Sequence, residues 1–237
     1  MEHLHDPESI RERLAAGPRL SYLRDFVYGG IDGSVTTFAV VTGVVGARLS
    51  PAIILILGAA NLVADGFSMA ASNYLGTSTE RQEADALRAR ERRHIALHPE
   101  GEREEIRQIF AAKGIEGDDL ERVVAAVTSD QERWIDVMLS EEYGLPQQVR
   151  SARAAALATF GAFVLCGLVP LLPFIFAIPH ALTVSIVMTL GVFFAVGSAR
   201  SRWLILSWWR AGLETLAIGA VAATLAWVAG MVIKRMT

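Results

Sequence analysis

The chain has 237 residues, 52% of them hydrophobic, with a mean hydropathy of +0.37 and a formal net charge of −3. Its single cysteine, Cys166, excludes a disulfide framework, and its acidic balance argues against nucleic acid as a partner. The apolar residues are clustered in long runs, which points to a membrane protein rather than a soluble domain.

Residues 1–24 are charged and lack the apolar core and small-residue cleavage site of a signal peptide, so they read as a cytoplasmic N-terminal segment. Residues 25–76 hold two apolar runs, 26–47 and 51–75, each long enough to cross a bilayer core of ~30 Å. Residues 77–150 change character, with 17 acids against 11 bases and a local charge of −6. Residues 151–237 return to apolar runs at 154–175, 180–199 and 211–233. The expected fold is therefore all-α: five transmembrane helices, with a water-soluble acidic insert between the second and third.

Arginine placement sets an orientation. Arg11, Arg13, Arg19 and Arg24 precede the first span, Arg150 and Arg153 the third, and Arg200, Arg202 and Arg210 join the fourth to the fifth. The opposite side carries Arg48, Lys234 and Arg235. Positive charge marks the cytoplasmic face, which places the N-terminus and the insert in the cytoplasm and the C-terminus across the membrane.

Within the insert, "STERQEADALRARERRHIAL" is rich in helix formers and continues from the second span without an obvious loop. Pro99 ends that helix at His98 and opens the next, "PEGEREEIRQIFAAKG", which Gly114 closes. "DDLERVVAAVTSD" and "DQERWIDVMLSEEYG" read as two more helices, each with Asp near its start.

Two acids interrupt the first two spans. Asp32 stands among Gly29, Gly30 and Gly33, and Asp65 lies between Asn61 and Met69 at a spacing of four, so the three share one helix face. An ionised side chain in hydrocarbon costs several kcal/mol and marks an ion path when it faces a protein interior or water. An amide, a carboxylate and a thioether on one stripe suit a transition metal. Plainer readings stand beside this one: Asp32 as a helix cap, Asp65 and Asn61 as interhelical partners, Met69 as core filler.

The insert offers a second constellation. Glu91 and His94 are three apart on one helix, Glu102 and Glu105 three apart on the next, and Met138 and Glu142 four apart on the last. An antiparallel turn at His98-Pro99 would bring the first two pairs together. Glu, His and Met on facing helices suit a borderline divalent ion such as Fe²⁺, Mn²⁺, Co²⁺ or Zn²⁺ better than Ca²⁺. The plainer reading is a solvated, ion-paired face of alternating Glu and Arg.

The segments "RDFVYGGIDGSVTTFAVVTGVVGA", "ILGAANLVADGFSMAASNYLGTSTERQEAD", "RARERRHIALHPEGEREEI" and "WIDVMLSEEYGL" together resemble the vacuolar iron transporter family, from about residue 20 onward. The resemblance implies a homodimer of five-span subunits with a cytoplasmic metal-binding domain between spans two and three. It also implies export of Fe²⁺, and often Mn²⁺, from the cytosol in exchange for protons, along a path lined by the first span at the dimer interface. Carried over, Asp32 and Met69 match the family's intramembrane acid and methionine, and Glu91, Glu102, Glu105, Met138 and Glu142 match metal-ligand positions. Three positions depart from the pattern: His94 replaces a usual glutamate, Leu139 a methionine of some members, and Asn61 an acid of some members.

The expected function is divalent metal transport out of the cytosol by proton antiport, with Fe²⁺, Mn²⁺ or Zn²⁺ as bound and carried ion and no prosthetic group. The alternative is a membrane-anchored metal-binding or sensing protein that moves nothing. A di-iron enzyme would need two Glu-x-x-His motifs, and the insert shows one, at Glu91 and His94. An arginine- and alanine-rich chain with two lysines suits a bacterium of high G+C content, hence a multi-pass plasma-membrane protein.

Overall fold

The computed structural model describes residues 6–17, 20–146, 150–201 and 207–236, and these hold helices and turns without a β-strand. Arg19 and Arg202, two of the orienting arginines, lie outside the described residues. In chain order the helices are α1 (Pro7–Ala16), α2 (Leu23–Gly46), α3 (Pro51–Leu97), α4 (Pro99–Ala112), α5 (Gly117–Thr128) and α6 (Gln131–Glu141). They continue as α7 (Ala152–Leu168), α8 (Leu172–Ile175), α9 (Ala181–Arg200) and α10 (Trp208–Met236). Five of these segments are long and apolar enough to cross a membrane: Leu23–Gly46, the first part of Pro51–Leu97, Ala152–Ile175, Ala181–Arg200 and Trp208–Ala229. The protein is an all-helical, multi-pass membrane protein.

The chain divides into two compact units. Met1–Leu20 and Gly76–Ser151 form one, and Ser21–Leu75 and Ala152–Thr237 the other.

In the membrane unit α2 is the most buried span, with half of its apolar window covered. Its glycines explain how. A Cβ on Gly29 would sit 2.3 Å from the carbonyl oxygen of Thr159, and one on Gly33 would sit 2.3 Å from that of Phe163. The backbones of α2 and α7 therefore touch, as small residues allow between membrane helices. The third span is broken where the sequence suggested one continuous helix. A short 3-10 turn, Val169–Leu171, separates α7 from α8, because Pro170 and Pro173 supply no backbone N–H to a continuing α-ladder. The Ser185 hydroxyl donates to the freed Pro170 carbonyl at 2.8 Å.

A polar junction ties three spans. Asn73 Nδ2 donates to the buried Asp25 carboxylate at 2.8 Å and lies 2.7 Å from the Thr159 hydroxyl.

The insert unit packs four helices around Ile95, Ile106, Val124, Val127, Trp134, Ile135, Met138 and Leu139. Asp130 caps α6 by accepting from the Arg133 amide at 2.8 Å, and Gly114 closes α4 at φ +86. Arg88 reaches Asp136 at 2.6 Å and Glu132 at 3.2 Å, and Arg92 reaches Glu132 at 2.6 Å, which lays α6 along the charged half of α3. Such solvent-screened pairs contribute little, so the apolar core holds the unit. The N-terminal charged segment holds one helix that the sequence reading did not mark: Asp6 accepts from the Ser9 amide at 2.9 Å, and Pro7 begins α1.

Candidate metal centre

The turn at His98-Pro99 folds α4 back against the end of α3. Glu91, His94 and Glu102 thereby meet, each with a ligand atom within 4.8 Å of the others. His94 Nδ1 lies 3.4 Å from Oε1 of Glu102 and 3.9 Å from Oε1 of Glu91. The two carboxylates are not surface charges: Glu91 is 1% exposed and Glu102 5%. His94 stays partly open to solvent, which leaves a way in for an ion.

Burial of two acids side by side is unfavourable without a cation. The strain shows at Glu102, whose carboxyl is pushed up to about 7 by burial first, then by the charges of Glu105, Glu91 and Glu142. Its Oε2 is buried and has no hydrogen-bond partner among the described residues. Glu142 is also raised, by burial and by Glu105. A divalent cation would relieve both effects. One imidazole nitrogen and carboxylate oxygens suit a borderline ion better than Ca²⁺.

Glu105 and Glu142 are exposed at the rim, close enough for their charges to raise Glu102. Met138 is fully buried in the apolar core of the insert. Sequence reasoning missed Tyr143. Its hydroxyl donates to Oε1 of Glu91 at 3.0 Å, from the turn that Gly144 makes at φ +65 after α6. Burial and the bond to Glu91 hold the Tyr143 phenol above its usual range, so it stays protonated as the donor to Glu91. The one available signal was the run Glu142-Tyr143-Gly144 just past a helix end.

In the membrane unit, Asp32 lies well inside α2, whose N-cap is Tyr22, so it caps nothing. It is half-buried. Across from it, Asn61 Nδ2 donates to Thr36 Oγ1 at 3.2 Å and lies 3.5 Å from Thr37 Oγ1. Met69 packs partly against a core of Val41, Val44, Ile54, Leu62, Phe163 and Leu171. Asp65, between them on α3, is exposed on the single chain. Among the described residues no arginine, lysine or histidine pairs with Asp32 or Asp65. The acid missed here by sequence reasoning is Asp25, held by Asn73.

A family model described as the VIT family matches residues 23–231. The chain is 34% identical over 218 residues to vacuolar iron transporter 1 of Arabidopsis thaliana, covering 90% of this chain and 86% of that protein. To vacuolar iron transporter 1 of Eucalyptus grandis it is 33% identical over 209 residues, covering 86% and 83%. The vacuolar iron transporter of Centaurea cyanus is 32% identical over 208 residues, with coverage of 86% and 84%.

Proposed function

Because the chain belongs to the VIT family, we propose that it is a divalent metal transporter whose substrate is Fe²⁺, with Mn²⁺ as a second cargo. The observation that carries the metal reading is the buried Glu91–His94–Glu102 cluster, with its orphaned Glu102 oxygen. The insert collects the ion on the cytoplasmic side, helped by its acidic rim at Glu105 and Glu142 and by Met138 where a soft ligand is wanted. The membrane unit carries it, with Asp32, Asn61, Asp65 and Met69 as the path. Export from the cytosol runs against protons: a desolvated carboxylate takes either a cation or a proton, so a proton arriving at Asp32 from the far side releases the metal.

The working unit is a homodimer. Asp65 is exposed in an apolar span of which only 22% is buried within one chain. A charge facing lipid costs several kcal/mol. A two-fold partner brings its own copy of the same face and seals both acids into a shared interior. The arginine bias places the N-terminus and insert in the cytoplasm, and the composition favours a bacterial plasma membrane.

The test is metal flux in vesicles holding the purified protein, with Fe²⁺, Mn²⁺ and Zn²⁺ compared at two proton gradients. Uptake of Fe²⁺ that rises with the gradient supports the reading. Binding without flux would instead make the protein a membrane-anchored metal binder.

A further inference from the structure

A groove of about 660 Å³ runs along the membrane unit between α3 and α7. Phe67 and Phe160 line one end, Ala71 and Leu157 the middle, and Tyr74 and Arg153 the other end. The direction follows from the packing. A Cβ on Gly66 would meet the Phe160 ring, whereas Asn73 lies near Thr159 and the Ala155 carbonyl, so α3 and α7 run antiparallel along it. The apolar stretch from Phe67 to Leu75 covers about 12 Å at the helical rise, a good part of one acyl chain. Its walls are apolar throughout: Arg153 borders one end with its aliphatic stem, is exposed, and makes no ion pair among the described residues, so its guanidinium is free to meet a headgroup there. Arg153 is the second residue of α7, whose first turn holds no acid, so the helix dipole adds positive charge at the same end.

We propose that this groove is a binding site for an anionic phospholipid, with one acyl chain laid between α3 and α7 and the headgroup phosphate on Arg153. An exposed guanidinium beside the mouth of an apolar cleft is the chemistry that selects an anionic headgroup over a zwitterionic one. The Tyr74 ring, at the same level, suits the interfacial zone. A second copy of the chain is the poorer occupant. At 3.6 residues per turn, Phe67 and Tyr74 lie about half a turn round α3 from Asp65, so a partner that covers the acid leaves the groove to lipid.

The experiment uses the full chain in detergent, with phosphatidylglycerol and phosphatidylcholine of matched acyl chains as probes. Retained lipid is read by native mass spectrometry and Tm by thermal melting. Wild type should hold one phosphatidylglycerol per subunit about fivefold more tightly than phosphatidylcholine, the worth of one arginine near an anionic headgroup, and melt higher with it. Arg153→Gln should erase that preference and leave phosphatidylcholine retention unchanged. Ala156→Trp, which fills the groove, should lose both lipids. Equal retention of the two lipids by wild type, or a preference that survives Arg153→Gln, would overturn the proposal. So would a dimer that Ala156→Trp turns into monomers, because the groove would then be covered by a second copy.

Discussion

Glu91 and Asp65 stand on the same helix, α3, and their surroundings are opposite. Glu91 is 1% exposed, bonded to Tyr143 and set beside His94 and Glu102. Asp65 is open on the surface of its chain, in a span with little cover. The insert completes its candidate site from one chain, by folding four helices over an apolar core and burying Glu91 and Glu102 beside a solvent-facing His94. The membrane unit does not: its glycines bring α2 tightly against α7, and Asn61 and Met69 pack inward, yet Asp65 between them stays exposed. On the proposed reading, the binding site is closed within one subunit, while the ion path needs a second copy of the chain to cover Asp65.

The sharpest way to break this comparison is Asp32→Asn. Flux into vesicles should vanish, while metal affinity at the insert, read by calorimetry on the same full chain, stays at the wild-type value. Transport at the wild-type rate would remove Asp32 from the path. A joint loss of flux and binding would mean that the two regions are not separable in the way described.

Glu102→Gln is the reciprocal variant. It keeps the shape of the side chain and removes the charge beside Glu91 and His94. Metal affinity should fall by about 100-fold, since one of the cluster's two carboxylate ligands is lost at a borderline ion. The metal-free protein should melt no lower than wild type, because the raised carboxyl of Glu102 is itself a cost to the fold. An affinity unchanged within error would remove Glu102 from the metal centre.

Much of this was legible in the sequence, for identifiable reasons. Span positions followed from apolar length, and the long α3 from the shortness of the link "YLGTSTE" between the second span and the helix formers that follow, with no proline before Pro99 to stop it. The meeting of Glu91, His94 and Glu102 followed from spacing of three on one helix and a proline turn to the next. What escaped was either long-range or hidden inside an apolar run. Tyr143 joins a residue 52 positions away, and Asn73 reaches Asp25 and Thr159 at separations of 48 and 86. No periodicity reports such pairs. The prolines at 170 and 173 were visible, but hydropathy averages over them, so the break in the third span did not show.

Tyr143→Phe tests one of those illegible contacts. It removes a single hydroxyl and leaves the ring in the core. Loss of a partner that orients a metal-binding carboxylate typically costs 10- to 100-fold in affinity, and a neutral donor belongs at the lower end, so a drop of about tenfold is expected. The melting temperature without metal should hold, which separates orientation from packing. Full affinity in this variant would mean that Glu91 is held by its burial alone.

The smallest effect, and the one that bears most directly on why the insert is built with buried acids, is the dependence on pH. Glu102 titrates at about 7 in the folded protein against an ordinary 4.5. Between those values the folded state holds a proton that the unfolded state has released, so the metal-free protein loses stability as pH rises through this window. A metal ion acts in the opposite sense: it must displace that proton, so its affinity grows with the ionised fraction. From about pH 6.5 to about pH 7.5 that fraction rises about threefold, and metal affinity should rise with it. Calorimetry in two buffers of different ionisation enthalpy would count the proton released, near one-half per site at pH 7. In Glu102→Gln both the slope and the released proton should disappear. If the slope persists there, the titrating group is another member of the cluster, and the comparison between a closed site and an open path would rest on that group instead of Glu102.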